Sequence, residues 1–211
     1  MSTYTNDGLR EYVKRSVELS MQAKQEFWRT HADAVAQVAK WMGETVQNDG
    51  KILIFGNGGS AADAQHMAAE MVGRMLVERK KPLPAIALTT DTSCLTAVGN
   101  DYNFEDIFEL QVRALGRKGD LAIAISTSGN SKNVVKAVEA ARAIGMRVVT
   151  MTGGTGGKLR EMSDVSLNVA LGKHSSMIQE THITIVHLLV DLMDRYFLAP
   201  DYVAGEAYKG A

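Results

Sequence analysis

The sequence predicts a doubly wound α/β fold: a flavodoxin-like sheet of five parallel strands with helices on both faces, preceded by an N-terminal helical pair. Three features predict it. Short, nearly continuous apolar runs alternate with helical segments. Helical spacing occupies the first 50 residues. Two of the apolar runs open directly into loops, one of glycine and one of serine and threonine.

The helical pair comes first. Apolar residues at Leu9, Tyr12, Val13 and Val17 predict a helix over Leu9 to Phe27, and Val35, Val38, Ala39, Met42 and Val46 predict a second over Thr30 to Val46. Thr30 reads as the cap of the second, and the polar Gln47-Asn48-Asp49-Gly50 cluster as its end. The strands follow at Lys51–Phe55, Ala85–Leu88, Asp120–Ser126, Arg147–Met151 and Val165–Val169, short apolar runs suited to a sheet buried on both faces. A last helix runs from Ser176 to Phe197, with Ile178, Ile183, Val186, Val190 and Met193 on its apolar side, and stops near Pro200. The tail from Asp201 to Ala211 carries too little apolar surface to order itself.

These elements fit one domain over residues 1–211: helices used in oligomerisation to residue 50, an α/β core over 51–198, and a tail over 199–211. With 23 basic against 24 acidic residues there is no global field to draw the chain to nucleic acid or to an anionic membrane. The single cysteine, Cys94, excludes an internal disulfide, and the opening residues have neither the basic nor the apolar region of a secretory signal, so a cytoplasmic protein is expected. The longest apolar candidate, around Ile183 to Val190, is broken by Thr184 and His187 and is too short to span a bilayer. The Arg79-Lys80-Lys81 triplet reads as a solvated loop.

The first strand runs into Gly56-Asn57-Gly58-Gly59-Ser60 and then into helix-forming Ala61-Ala62-Asp63-Ala64-Gln65. Free amides and a positive dipole at such a helix start favour an anion or a polar sugar group. Gly56, Gly58 and Ala61 also match the dinucleotide spacing, but that motif needs an acid ending the second strand, and the next acid here is Asp91. A third reading is a structural turn with no ligand. The third strand opens into Ser126-Thr127-Ser128-Gly129-Asn130-Ser131, where four hydroxyls gather at a helix start. A phosphate needs several converging donors, whereas a helix cap needs only one hydroxyl, for which Ser131 would serve.

The pair G-N-G-G-S and S-T-S-G-N-S resembles the sugar isomerase (SIS) domain, a doubly wound fold that binds phosphosugars. Val98-Gly99-Asn100-Asp101 and Ile178-Gln179-Glu180 narrow the resemblance to the phosphoheptose isomerases, over about Lys51 to Tyr196.

Two further spacings read as metal-binding. His66 and Glu70, four apart, share one face of a helix, and Gln179 and His187, eight apart, lie about 80° from one another around theirs. Two imidazoles, a carboxylate and an amide oxygen suit zinc or a similar divalent ion. Each also has a plainer role: His66 as a surface polar group, Glu70 as an ion-pair partner of Arg74, His187 as a hydrogen-bonded core histidine.

The resemblance implies zinc at His66, Glu70, Gln179 and His187. It implies sugar-phosphate contacts at Asn57, Gly58, Gly59, Asn100, Asp101, Ser126, Thr127, Ser128, Ser131 and Gln179, with Ser60, Glu70 and Arg74 as further substrate candidates. It also implies an aldose-ketose isomerisation of sedoheptulose 7-phosphate through an enediol, in which Glu70 moves the carbon-bound proton and His187 serves the oxygens or the metal. Such an enzyme would be a homotetramer feeding heptose and lipopolysaccharide synthesis. Met177 and the Gly172-Lys173-His174-Ser175 loop depart from the family's pattern, where arginine is common at the first. Two relatives compete: a non-catalytic SIS protein that binds the bacterial replication initiator, and a phosphosugar-sensing regulator. The first lacks the acid and histidine matching Glu70 and His187. The second carries a DNA-binding headpiece, of which the 50 residues before Lys51 show no basic recognition helix.

Overall fold

A computed structural model describes residues 5–75, 82–172 and 174–195. One unbroken helix, α1 (Asn6–Gln47), stands where a helical pair is expected. The segment between the two apolar patterns holds no glycine or proline. The Thr30 hydroxyl, read from sequence as a cap, instead donates to the carbonyls of Phe27 at 3.2 Å and Glu26 at 3.0 Å in the turn behind it. That back-bonding is compatible with a helix interior, and the Phe27 and His31 rings stack across the junction at 4.6 Å. Forty-two residues rise about 63 Å. The C-terminal half of α1 buries Phe27, Val35, Val38, Ala39, Met42 and Val46, while Leu9, Tyr12, Val13, Val17 and Met21 on its N-terminal half remain exposed.

Five strands follow: β1 (Ile52–Gly56), β2 (Ala85–Ala87), β3 (Leu121–Ser126), β4 (Arg147–Gly153) and β5 (Val165–Val169). All pairs are parallel and the order is β2-β1-β3-β4-β5, as expected for a flavodoxin-like sheet. Side-chain alternation splits the core in two. Ile52, Ile54, Leu121, Ile123 and Ile125 face α1, α2 (Gly59–Val72) and α7 (Ser175–Met193). Leu53, Phe55, Ala122 and Ala124 face the side covered by α3 (Thr92–Asp101), α4 (Glu109–Leu115), α5 (Lys132–Ile144) and α6 (Gly157–Met162). Burial on both faces explains why the strands read as continuous apolar runs. From β1 the chain crosses one way to β2, and it re-enters on the other side of β1 as β3, which leaves a crevice at the carboxyl ends of β1 and β3.

Polar anchors fix this frame. At the opposite end of β1 and β3, the buried Asp120 carboxylate accepts from the backbone N–H of Lys51 (2.9 Å) and of Arg117 (2.8 Å) and pairs with Lys51 Nζ at 2.6 Å. On α7, fully buried His182 donates from Nε2 to the Thr152 carbonyl of β4 at 3.1 Å. Burial pushes its pKa down to about 4, so the ring is neutral in the fold. Glu180 on α7 accepts from Ser20 of α1 and lies 3.9 Å from Lys24, which ties the two long helices together. Among the described residues no helix is long and apolar enough to cross a membrane. The expected end of the last helix, the tail and the Arg79-Lys80-Lys81 triplet lie outside the described residues.

Two outcomes follow. Asp120→Ala strands two backbone donors and a half-buried ammonium, and should lower unfolding free energy by about 3 kcal/mol in urea melts. His182 binds a proton more readily unfolded, near 6.5, than folded, near 4. Stability should therefore fall as pH drops through that window, at up to about 1.4 kcal/mol per pH unit. His182→Gln, which can keep the donor without the titration, should flatten that acid limb.

Candidate active site

Two loops and two helices meet at the crevice. The first loop leaves β1 at Gly56, and its closing turn, Ser60 N–H to Asn57 carbonyl at 3.0 Å, leads straight into α2. Gly59 stands where the side chain of Gln179 from α7 lies against the backbone, and a Cβ there would overlap the Gln179 amide. Two turns into α2 comes His66, and the next turn brings Glu70.

His66 Nε2 lies 2.9 Å from His187 Nε2 of α7, a residue 121 positions away, and 3.5 Å from Glu70 Oε1. The two imidazole rings meet edge to face at 5.1 Å. Asp63, a turn before His66, is buried, and burial pushes its carboxyl up to about 6 against an opposing pull from His66. The sequence reading did not single out Asp63. Its signal was a lone acid in an alanine-rich helix start, three residues ahead of a candidate ligand.

The second loop leaves β3 at Ser126, whose buried hydroxyl lies 3.0 Å from that of Ser131 and 3.4 Å from that of Ser128. Ser131 occupies the N-cap of α5, yet its side chain makes no capping bond and faces Ser126 instead. The hydroxyls therefore converge on one another and leave the first amides of α5 uncapped by them, the arrangement an anion needs. Gly129 has φ +65°, and a Cβ on it would run into the backbone of Gly156, so only glycine fits where this loop meets the one after β4. Thr127 donates to Ser175 at the first turn of α7 at 3.4 Å, so α7 touches both loops and carries His187.

Asn57 and Gly58 thus lie in the first loop with Gly59 and Ser60 at the start of α2, Ser126, Thr127, Ser128 and Ser131 lie in the second, and His66, Glu70 and His187 form a cluster further along α2 and α7. Three other candidates stand apart. Asn100 and Asp101 bond each other at 2.7 Å at the exposed end of α3, and Arg74 is exposed just beyond α2. Among the described residues, no hydrogen bond or ion pair joins any of the three to the cluster.

Sequence comparison settles the lineage. The SIS domain family matches residues 15–153. The phosphoheptose isomerase of Neisseria meningitidis serogroup C (strain 053442) is 51% identical over 193 residues, spanning 90% of this chain and 97% of the relative. The chain belongs to the phosphoheptose isomerases of the SIS domain family. A phosphoheptose isomerase from Nitratidesulfovibrio vulgaris (strain DSM 19637 / Miyazaki F) is 46% identical over 202 residues, 96% of each chain. The solved phosphoheptose isomerase of Neisseria gonorrhoeae superposes with a TM-score of 0.83 at 50% identity, covering 88% of this chain and 98% of that one. That of Francisella tularensis gives 0.83 at 43% identity, with 87% and 97% covered.

A phosphoheptose isomerase fold of this kind offers donors for a divalent ion. Among the described residues no group of three or more His, Cys, Asp or Glu side chains is arranged as a metal site. The two Nε2 atoms face each other at 2.9 Å, inside the roughly 3.3 Å that two tetrahedral ligands at about 2.0–2.1 Å would keep. In chemical type the set fits: two imidazoles with a carboxylate alongside, and the Gln179 amide two turns before His187 on α7, are donors of the hardness zinc accepts.

Proposed function

We infer that the protein is an aldose-ketose isomerase converting D-sedoheptulose 7-phosphate into D-glycero-D-manno-heptose 7-phosphate, the first step toward ADP- or GDP-heptose precursors. The observation that carries this reading is the meeting of His66, Glu70 and His187 from two helices whose first turns reach the glycine loop and the hydroxyl loop. The hydroxyls of Ser126, Thr127, Ser128 and Ser131, with the first amides of α5, hold the phosphate; Asn57, Gly58, Gly59, Ser60 and Gln179 hold the sugar chain.

The isomerisation moves one proton from C1 to C2 and one from the C1 hydroxyl to the C2 oxygen, through an enediol. Glu70 takes the C1 proton of the open-chain ketose and returns it to C2, and His187 serves the oxygens. His66, Glu70, Gln179 and His187 would hold a zinc ion, which when bound would supply Lewis-acid stabilisation of charge on the reacting oxygens. Ligand and base are exclusive duties for Glu70 at any instant, because a coordinated carboxylate is a weaker base. A scaffold that only bound a replication initiator would need neither Glu70 nor His187, and their convergence would have no purpose.

The working form proposed is a cytoplasmic homotetramer. Supporting it is the apolar stripe of Leu9, Tyr12, Val13, Val17 and Met21 on the exposed half of α1, a surface wide enough to seat another helix. Arg74, Asn100 and Asp101 stay substrate candidates in that assembly.

Incubation with sedoheptulose 7-phosphate should give an aldoheptose phosphate by NMR, and chelation should suppress the rate at least tenfold until zinc is restored. No product with zinc present would sink the isomerase reading. Glu70→Gln should lower kcat by about 10²-fold or more while KM moves only a few-fold; activity within tenfold of wild type removes Glu70 as the base. Light scattering should return about four times the 22.9 kDa chain mass.

A further inference from the structure

Asn57, in the glycine loop, and Asn133, in the first turn of α5, bind each other twice. Asn57 Nδ2 donates to Asn133 Oδ1 at 2.9 Å, and Asn133 Nδ2 donates to Asn57 Oδ1 at 2.9 Å. The residues are 76 apart in sequence and come from opposite lips of the crevice, one loop after β1 and one after β3. Asn133 is 4% exposed and Asn57 is partly exposed.

A closed amide pair of this kind constrains more than distance. The χ2 torsion of an asparagine is broad, so a lone Asn57 amide would sample many orientations and either sense of its O and N atoms. Two reciprocal bonds hold the two amides in one plane and couple their senses, since turning either one over alone would set N–H against N–H and carbonyl against carbonyl. Each amide spends one N–H and one lone pair on the other. Asn57 is left with one N–H and one lone pair in a defined direction on the partly exposed side of the pair, beside Gly58.

We propose that Asn133 is a positioning residue for the substrate: it touches no substrate atom, and it sets the direction in which Asn57 presents its remaining donor and acceptor. The pair also joins the two loops, so the glycine loop and the hydroxyl loop hold the two ends of one ligand at fixed separation. A simpler role, that the pair only fills a buried polar position, predicts a loss of stability with no change in ligand binding. The inference rests on the isomerase reading for Asn57 as a sugar contact.

The experiment measures sedoheptulose 7-phosphate binding by calorimetry, turnover by NMR, and thermal stability, for wild type, Asn57→Ala, Asn133→Ala, Asn133→Leu and the double variant Asn57→Ala with Asn133→Ala. Asn133→Leu keeps the branched shape of asparagine without its polar atoms, and keeps the test open if the alanine variant does not fold. The expected result is a Kd and KM raised about tenfold in either Asn133 variant, on the order of one lost oriented hydrogen bond, with kcat within about threefold of wild type. In the double variant the loss should equal that of Asn57→Ala alone, because Asn133 acts only through Asn57. Asn133 variants that melt lower but bind the sugar phosphate as wild type does would overturn the proposal, as would losses that multiply in the double variant. A wild-type protein that binds the sugar phosphate without turning it over fails the isomerase reading alone, and the same Kd comparison still decides the role of Asn133.

Discussion

The contact between α2 and α7 across one face of the sheet is the constraint on which the site depends. Both helices pack on the face lined by Ile52, Ile54 and Ile123, and they approach closely because Gly59 leaves room for the Gln179 side chain at the start of α2. Once that approach is set, His66 and His187 meet at 2.9 Å with Glu70 alongside. The position of α7 is itself held from three sides: His182 bonds the end of β4, Glu180 bonds α1, and Ser175 meets the hydroxyl loop. A shift of α7 by one residue would rotate its side chains by about 100° and separate all of these partners.

The two lips of the crevice divide the work by chemistry. The hydroxyl lip offers Ser126, with Ser128 and Ser131 each bonded to it, and the first amides of α5 behind them, while the Lys132 ammonium pairs with Glu105 at 2.8 Å. A phosphate proposed there would be held mainly by dipoles and hydrogen bonds, which suits a chain whose net charge is −1. The helix lip carries the imidazoles and the carboxylate. Asn57 and Asn133 form a side-chain bridge between the glycine loop and the first turn of α5, so the separation of the two lips is built into the frame.

Strands were legible in the sequence because a parallel sheet covered on both faces leaves no polar alternation, and the runs at Ile52 and Leu121 have none. The loops were legible because glycine and serine stand at strand ends, where backbone approach and hydroxyl donors have few other uses. The helix count was not. Thr30 has the same side chain whether it caps a new helix or bonds back into an existing one, and only the path of the backbone decides between them. Asn133 was passed over because an asparagine in a first helical turn is ordinary until its partner, 76 residues away, is known. Arg74, Asn100 and Asp101 illustrate the converse: their types suit a sugar phosphate, while this chain by itself leaves them exposed at the ends of α2 and α3.

The sequence by itself determined the succession of strands and of the helices after the first, the loops of glycine and of serine and threonine, and the kinds of side chain offered for phosphate binding and proton transfer. Those depend on local pattern: the spacing of apolar residues, the special torsions of glycine, the hydroxyls at a helix start. The tertiary structure alone decided which of these groups share a volume. Convergence of His66 with His187, of Gln179 with Gly59 and of Asn57 with Asn133 depends on helix packing angles and strand order, which arise from burial summed over the whole core and leave no mark on any single stretch of chain.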